Sequence, residues 1–221
     1  MLERELDKKL ISDRKELFSN LRRKIRAIPV LRAMERVPRD VFVPISERPL
    51  SYRDIPLAIG AGQTISQPYI VALITEALRL QPDDCVLEVG GGSGYQAAVL
   101  AEMVPKGNVV TVELVRSLAQ QARETLSELE YRNIVVEDSS NELGCSWRGP
   151  YDAIVVSAAM PRLSPTLIGQ LAVGGRMVAP VGDLERQELV CMLRTGEGIS
   201  IRMLGSCRFV PLLGDEAFPS S

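Results

Sequence analysis

The chain predicts an α/β protein: a mostly parallel central sheet with helices on both faces, an antiparallel C-terminal edge and extra N-terminal helices. Three observations carry that expectation. From Cys85 onward, short apolar and β-branched runs alternate with segments of helical periodicity, the pattern of a parallel sheet built through helical crossovers. The late strand-like runs that begin at Arg176, Glu188 and Ile199 have no helix-length segments between them, which marks an antiparallel edge. The third observation is LEVGGGSGY, Leu87 to Tyr95. There a buried-strand pattern ends in a glycine bend, and helical periodicity starts directly behind it.

Leu2, Leu6, Leu10, Leu17, Leu21 and Ile25 recur at helical spacing among charges, which gives one or two amphipathic helices up to Ala27. Pro29 interrupts them, and a short helix over Val30–Arg36 turns Leu31, Met34 and Val37 toward the main domain. Pro38, Pro44, Pro49 and Pro56 punctuate an irregular, extended stretch. IGAGQTISQP, Ile59 to Pro68, leads into a helix over Tyr69–Leu80, with Ser66 as its N-cap and Pro68 in its first turn. The alternating part then reads as strand Cys85–Val89, helix Gln96–Met103, strand Val109–Val112, helix Val115–Leu129 and strand Ile134–Val136. A loop holding Trp147, strand Ala153–Val156 and a helix near Pro165–Leu171 follow. Gly174 and Gly175 read as a hairpin-like turn into strand Arg176–Pro180, and strands Glu188–Leu193 and Ile199–Phe209 close the chain. The expected organisation is an N-terminal helical subdomain with its extended connection over residues 1–58. The sheet domain over 59–221 includes the Gly-rich loop and forms a single compact unit. A length of 221 residues suits one domain with an added subdomain.

Composition excludes several classes of function. With 46% hydrophobic and 24% charged residues the chain is ordinary for a globular protein, and its net charge of −2 offers nothing to a nucleic acid. No apolar run reaches about 18 residues, so no membrane span is expected. The N-terminal stretch is charged and lacks the apolar core of a secretory signal. The four cysteines contain no C-x-x-C pair, so a cytoplasmic protein without disulfides is expected. Histidine is absent altogether. That excludes histidine-based triads and histidine-zinc centres, and no metal site is expected.

Ligands of parallel α/β sheets bind at the C-terminal ends of the strands. Gly90, Gly92 and Gly94 form a G-x-G-x-G bend at such an end, with Tyr95 where a dinucleotide site places its third glycine. The helix behind the bend offers N–H groups to a ligand. Glu113 follows the second sheet strand, 19 residues after Gly94, and can accept hydrogen bonds from two ribose hydroxyls. Asp138 follows the third strand, Ile134–Val136, where it can border an adenine ring. Glu88, a carboxylate inside an apolar run, needs a partner, either the N–H groups of the adjacent loop or a cofactor amine. An acid beside the bend disfavours a pyrophosphate and suits a cationic sulfonium with an amino-acid tail. S-adenosylmethionine therefore fits better than a dinucleotide.

These motifs, taken together, resemble the protein-L-isoaspartate (D-aspartate) O-methyltransferase family over roughly Ile28 to Leu213. VPRDVFVP (Val37–Pro44) with Tyr52 and Asp54 is similar to the family's N-terminal signature. IGAGQTISQPYIVA (Ile59–Ala72) resembles its substrate loop, and LEVGGGSGYQAAVLA (Leu87–Ala101) its cofactor motif. GPYDAIVVSAAMP (Gly149–Pro161), QLAVGGRMVAPVG (Gln170–Gly182) and FVPLLG (Phe209–Gly214) match later segments in order.

The resemblance implies the Rossmann-like fold of S-adenosylmethionine-dependent methyltransferases. It implies methyl transfer to the free carboxylate of L-isoaspartyl and D-aspartyl residues in damaged proteins and peptides, with S-adenosylhomocysteine as product. It implies Ser66 as the catalytic position, and Ile59, Gln63, Thr64 and Ser66 at the substrate. It implies Thr64, Glu88, Gly90, Gly92, Ser93, Gly94, Glu113, Leu114 and Asp138 at the cofactor. A carboxylate acceptor needs no base, which agrees with a chain that has no histidine. Two departures stand out. Gly91 occupies a position where the family has Thr or Ser, which is expected to loosen the loop. Ser139 replaces a glycine after Asp138, so that loop is either strained or takes another path. The alternative reading is a methyltransferase of the same fold acting on a different acceptor; a cofactor-binding module without turnover and a nicotinamide oxidoreductase rank behind it.

Overall fold

The computed structural model describes residues 2–140 and 142–219. The side chains of residues 2–5, and so the expected inward face of Leu2, lie outside the described residues, as does Asn141. Helix α1 (Leu2–Leu21) and helix α2 (Ile28–Arg36) precede two short 3-10 turns at Arg39–Phe42 and Arg48–Leu50. These turns occupy the proline-punctuated stretch that reads as extended in sequence. Strands β1 (Leu57–Gly60) and β2 (Gln63–Ile65) pair antiparallel, Leu57 opposite Ile65. The Gly-rich segment is thus a small hairpin, and the 58/59 division falls within its first strand.

The remaining elements follow the expected alternation: α3 (Pro68–Leu78), β3 (Cys85–Val89), α4 (Tyr95–Met103), β4 (Asn108–Glu113), α5 (Arg116–Glu128), β5 (Ile134–Asp138), β6 (Tyr151–Val156), α6 (Pro165–Gln170), β7 (Leu171–Gly182), β8 (Gln187–Thr195) and β9 (Gly198–Cys207). Seven strands form one sheet in the order β5-β4-β3-β6-β7-β8-β9. Pairing is parallel from β5 to β7 and antiparallel for β8 and β9. The chain runs outward from β3 to β5, then returns to β6 on the other side of β3. Strand order therefore reverses between β3 and β6, where the crossovers part and leave a crevice above the strand ends.

Alternation along the strands divides the interior. Val86, Val109, Ala153, Val155 and Val178 pack with Ile74, Leu78, Ala97 and Leu100 of α3 and α4. Leu87, Val89, Val112, Ile154 and Met177 face Leu167 of α6, Cys145 and Leu212. The N-terminal helices pack on the helix layer: Leu17, Leu21, Ile25, Leu31 and Met34 cluster with Tyr95, Ala98, Val99, Leu118 and Leu126. The turn between α1 and α2 is held from outside, because Glu76 Oε1 accepts the N–H groups of Arg26 and Ala27, each at 2.7 Å.

Two local readings are corrected. Gln67, not Ser66, occupies the N-cap of α3, and no side chain of the cap closes it. The carboxylate of Asp54 does so from a distance, accepting from Tyr69 N at 2.8 Å. A partner 15 positions earlier in the chain satisfies a donor that local capping rules assign to a neighbour. Gly174 and Gly175 make no hairpin. They lie inside β7, whose pairing with β6 jumps from Tyr151–Leu171 to Ala153–Arg176, so the extra residues form a bulge.

One turn sets the entry to β4. The N–H groups of Lys106 and Gly107 both donate to the carbonyl of Pro82, at 2.8 and 3.1 Å. A Cβ on Gly107 would lie 1.9 Å from the backbone oxygen of Asp84. Gly107→Ala is therefore expected to cost about 2 kcal/mol or more, as the 82–84 backbone shifts. Gly169 in α6 has nothing within 4 Å of an added Cβ, and Gly169→Ala should raise stability by about 0.5 kcal/mol. Thermal unfolding of both variants against the parent chain measures the contrast.

Candidate active site

The glycine bend is tied down by its own backbone. Gly90 N and Gly91 N both donate to the carbonyl of Val112, at 2.9 and 3.1 Å. Gly92 N donates to Glu113 Oε2 at 2.7 Å, while Glu113 Oε1 accepts from Val115 N at 2.7 Å. Three N–H groups of the bend are thus committed within the fold. Glu113 is 7% exposed, and each of its oxygens keeps a lone pair for a further donor. A cleft of about 130 Å³ opens here, lined by Gln63, Thr64, Gly90, Gly92, Glu113 and Leu114 of the expected residues. Ser139, Ser157 and the segment from Val210 to Leu213 complete its wall.

Glu88 lies on the neighbouring strand, 1% exposed. Its partners are hydroxyls: Thr111 Oγ1 donates at 2.7 Å and Ser157 Oγ at 3.4 Å. The expected loop N–H groups go elsewhere. Burial raises its pKa to about 8, with repulsion from Glu113 adding to the rise and both hydroxyls opposing it. Glu88 and Ser93 line a small cavity of about 40 Å³, together with Ser66, Thr64 and Gly90 to Gly92. Gly91 approaches this cluster closely: an added Cβ would lie 2.3 Å from Thr111 Oγ1. The glycine leaves room for the hydroxyl that serves Glu88.

Several expected site residues stand elsewhere. Gly94 lines none of these cavities. It is the N-cap of α4 at φ 85°, and a Cβ there would press on Ala122 and Leu126 of α5 at 3.2 Å, so its lack of a side chain serves helix packing. Asp138 lines none of these cavities and pairs with Arg123 Nη2 at 2.8 Å. Ser139 takes its place at the wall, with its N–H on the Glu113 carbonyl at 2.9 Å. Ser139 has no positive φ, so the loop takes another path and is not strained there. Ile59 is buried, its Cδ1 3.2 Å from where a Gly92 side chain would start, and it lines a separate cavity with Phe42 and Ser93. Trp147 is 59% exposed and lines none of the cavities described.

A larger cavity of about 260 Å³ adjoins the cleft. Ser66, Gln67, Ile70, Arg208 and Phe209 line it. Thr64, Ser157 and Val210 belong to both cavities, so these three residues form the partition. The C-terminal segment that closes both is pinned to the end of β6: Ala159 N donates to Val210 O at 2.8 Å and Leu212 N to Ala159 O at 2.7 Å. The arrangement is two adjoining chambers: one holds a doubly donated carboxylate, the other the half-buried Ser66 and the cation Arg208. Sequence reading notes Ser139 only as a departure from the family pattern, and does not find Thr111 or Ser157. Each is a small hydroxyl residue in an ordinary strand or loop, with no local pattern to mark it.

The family model for Protein-L-isoaspartate(D-aspartate) O-methyltransferase matches residues 12–217. A protein-L-isoaspartate O-methyltransferase of Rhodopseudomonas palustris is 51% identical over 191 residues, covering 86% of this chain and 87% of that protein. One from Pelotomaculum thermopropionicum is 50% identical over 190 residues, covering 86% and 82%. Among solved structures, a protein-L-isoaspartate O-methyltransferase superposes with a TM-score of 0.82 at 30% identity, over 92% of this chain and 66% of that chain. A candidate enzyme of the same kind from Plasmodium falciparum, crystallised with S-adenosyl-L-homocysteine, gives 0.77 at 26% identity, over 89% and 96%. Identity near one half along most of both chains, with the same fold beneath it, places this protein in the protein-L-isoaspartate(D-aspartate) O-methyltransferase family.

Proposed function

We propose that this chain transfers the methyl group of S-adenosylmethionine to the free carboxylate of L-isoaspartyl and D-aspartyl residues in damaged proteins and peptides, and so starts their repair. The partition of Thr64, Ser157 and Val210 between the two chambers carries the reading within the family. It gives the donor and the peptide separate seats that meet at one wall. Four cysteines without a disulfide support a reducing compartment, and the cytoplasm is the proposed location.

The cofactor suits the cleft. Glu113 retains acceptor capacity for the ribose hydroxyls, Leu114 gives an apolar rim, and Glu88 stands within the same cluster for a cationic tail. S-adenosylmethionine, when bound, supplies an electrophilic methyl on a positively charged sulfur. An isoaspartyl carboxylate has a reference pKa near 4 and arrives ionised at neutral pH, so the chain need not remove a proton. Its task is placement. The Ser66 hydroxyl, facing the peptide chamber, donates to one carboxylate oxygen and leaves the other free to attack. Among the described residues no base contacts Ser66, which makes it a donor and not a nucleophile. Thr64 and Ser157 hold the shared wall.

Labelled S-adenosylmethionine with an isoaspartyl peptide should give base-labile label, and the aspartyl control none. Label on both, or on neither, would reject the substrate assignment. Ser66→Ala should lower turnover roughly 10- to 100-fold, the worth of one hydrogen bond to a charged group, with adenosylhomocysteine affinity unchanged by calorimetry. Glu113→Ala should instead weaken that affinity by about 1–3 kcal/mol, and an unchanged dissociation constant would reject the ribose contact.

Glu88 gives a pH signature. Its folded pKa is raised to about 8 from an ordinary 4.5, so the folded chain retains a proton that the unfolded chain has lost. Its effect on stability is absent below the unfolded value, grows as a penalty while pH rises through that window, and is complete above about pH 8. Glu88→Gln should therefore gain thermal stability relative to the parent chain as pH climbs from 5 to 8. A ligand bearing an ammonium favours the ionised carboxylate, so adenosylhomocysteine should bind the parent chain more tightly as pH rises from 6 to 8. That pH dependence should vanish in Glu88→Gln, and a slope that persists there would exclude the tail contact.

A further inference from the structure

Ser66 stands in a two-residue link between Ile65, the last paired residue of β2, and Pro68, the first residue of α3. No strand ladder reaches into this link, and Pro68 brings no N–H to it. The carbonyl of Gln67 is taken up by the helix, accepting from Ile70 N and Val71 N at 2.9 and 3.1 Å. The carbonyl of Ser66 is held, among the described residues, by Arg39 Nη2 at 2.8 Å.

Arg39 is an unusual group to find there. It is 1% exposed and forms no ion pair among the described residues. Its Nε donates to the carbonyl of Ser51 at 2.9 Å, and its guanidinium carbon lies 4.8 Å from the centroid of the Tyr95 ring. Nη1 is buried without a partner. Burying a cation with no carboxylate in ion-pair contact is costly, and the other described lysines and arginines sit mostly at the surface. What the planar fork obtains is simultaneous contact with two places that matter. Tyr95 is the residue directly after the glycine bend. Ser66 is the hydroxyl of the peptide chamber. A lysine, with one compact ammonium, cannot span Ser51, Ser66 and the Tyr95 face at once.

We propose that Arg39 is a positioning residue for methyl transfer: its guanidinium fixes the Ser66 peptide, and through it the Ser66 hydroxyl, against the residue that leads out of the glycine bend. This rests on the reading of Ser66 as the donor to the acceptor carboxylate. Displacement of a positioning group by about 1 Å can lower a rate roughly 100-fold, so the link needs an anchor that neither the hairpin nor the helix supplies.

A double-mutant cycle tests it. Arg39→Lys, Ser66→Ala and the combined variant are compared by kcat with a saturating isoaspartyl peptide, counted per adenosylhomocysteine-binding site from calorimetry. Arg39→Lys should lower kcat about tenfold or more, leave adenosylhomocysteine affinity within about twofold, and change kcat by less than about twofold once Ser66 is alanine. Additive losses in the combined variant overturn the proposal. So does full turnover in Arg39→Lys, or a loss of cofactor binding or of the fold along with turnover, because Arg39 then serves the whole structure and not Ser66. Full turnover in Ser66→Ala removes the donor reading itself, a result distinct from additivity.

Discussion

Glu113 accepts the N–H of Gly92 through one carboxylate oxygen and that of Val115 through the other, both at 2.7 Å, and the site is assembled around this pair of bonds. Parallel strands end with backbone groups that have lost their ladder partners. Here the Val112 carbonyl takes two glycine N–H groups, the Val89 carbonyl takes Ser157 N at 2.8 Å, and the Glu113 carbonyl takes Ser139 N at 2.9 Å. Each strand end thereby holds the loop that follows a neighbouring strand. The Glu113 side chain joins two loops, and charge-assisted bonds of this kind are stronger than neutral ones. The floor of the cleft is set before any ligand arrives.

Two carboxylates share this region under opposite conditions. Glu113 is met by the backbone N–H groups of Gly92 and Val115. Burial of Glu88 favours its protonated form, against the two hydroxyls that donate to it. Three glycine N–H groups are already committed to the fold, and the carboxylates of Glu88 and Glu113 beside the bend suit a cation better than a phosphate. The cavity that holds Arg208 adjoins this cleft along Thr64, Ser157 and Val210.

The N-terminal segment makes the second half of the site possible. Asp54 closes the first turn of α3 and Arg39 holds the Ser66 carbonyl. Both come from the stretch between α2 and β1, which has little regular structure of its own. The hairpin and α3 supply the hydroxyl, while the irregular stretch supplies the contacts that orient it. Packing of α1 and α2 against α4 and α5 brings that stretch into reach.

The amino-acid sequence by itself determined the layered α/β fold, because strand and helix periodicities are local and repeat often enough to be unambiguous. It determined the glycine bend and the Glu113 position, because both follow from where a strand must end. It also carried the family, through motifs in order along the chain. Tertiary structure decided what could not be local. Asp54 caps a helix 15 positions away, and Gly94 is a packing glycine because α5 crosses it. Asp138 turns to Arg123 although its strand-end position suggested the ligand. Glu88 finds hydroxyls from β4 and from the residue after β6. These outcomes depend on which surfaces meet when the sheet closes, and residues from separate strands and loops come together only in the folded chain.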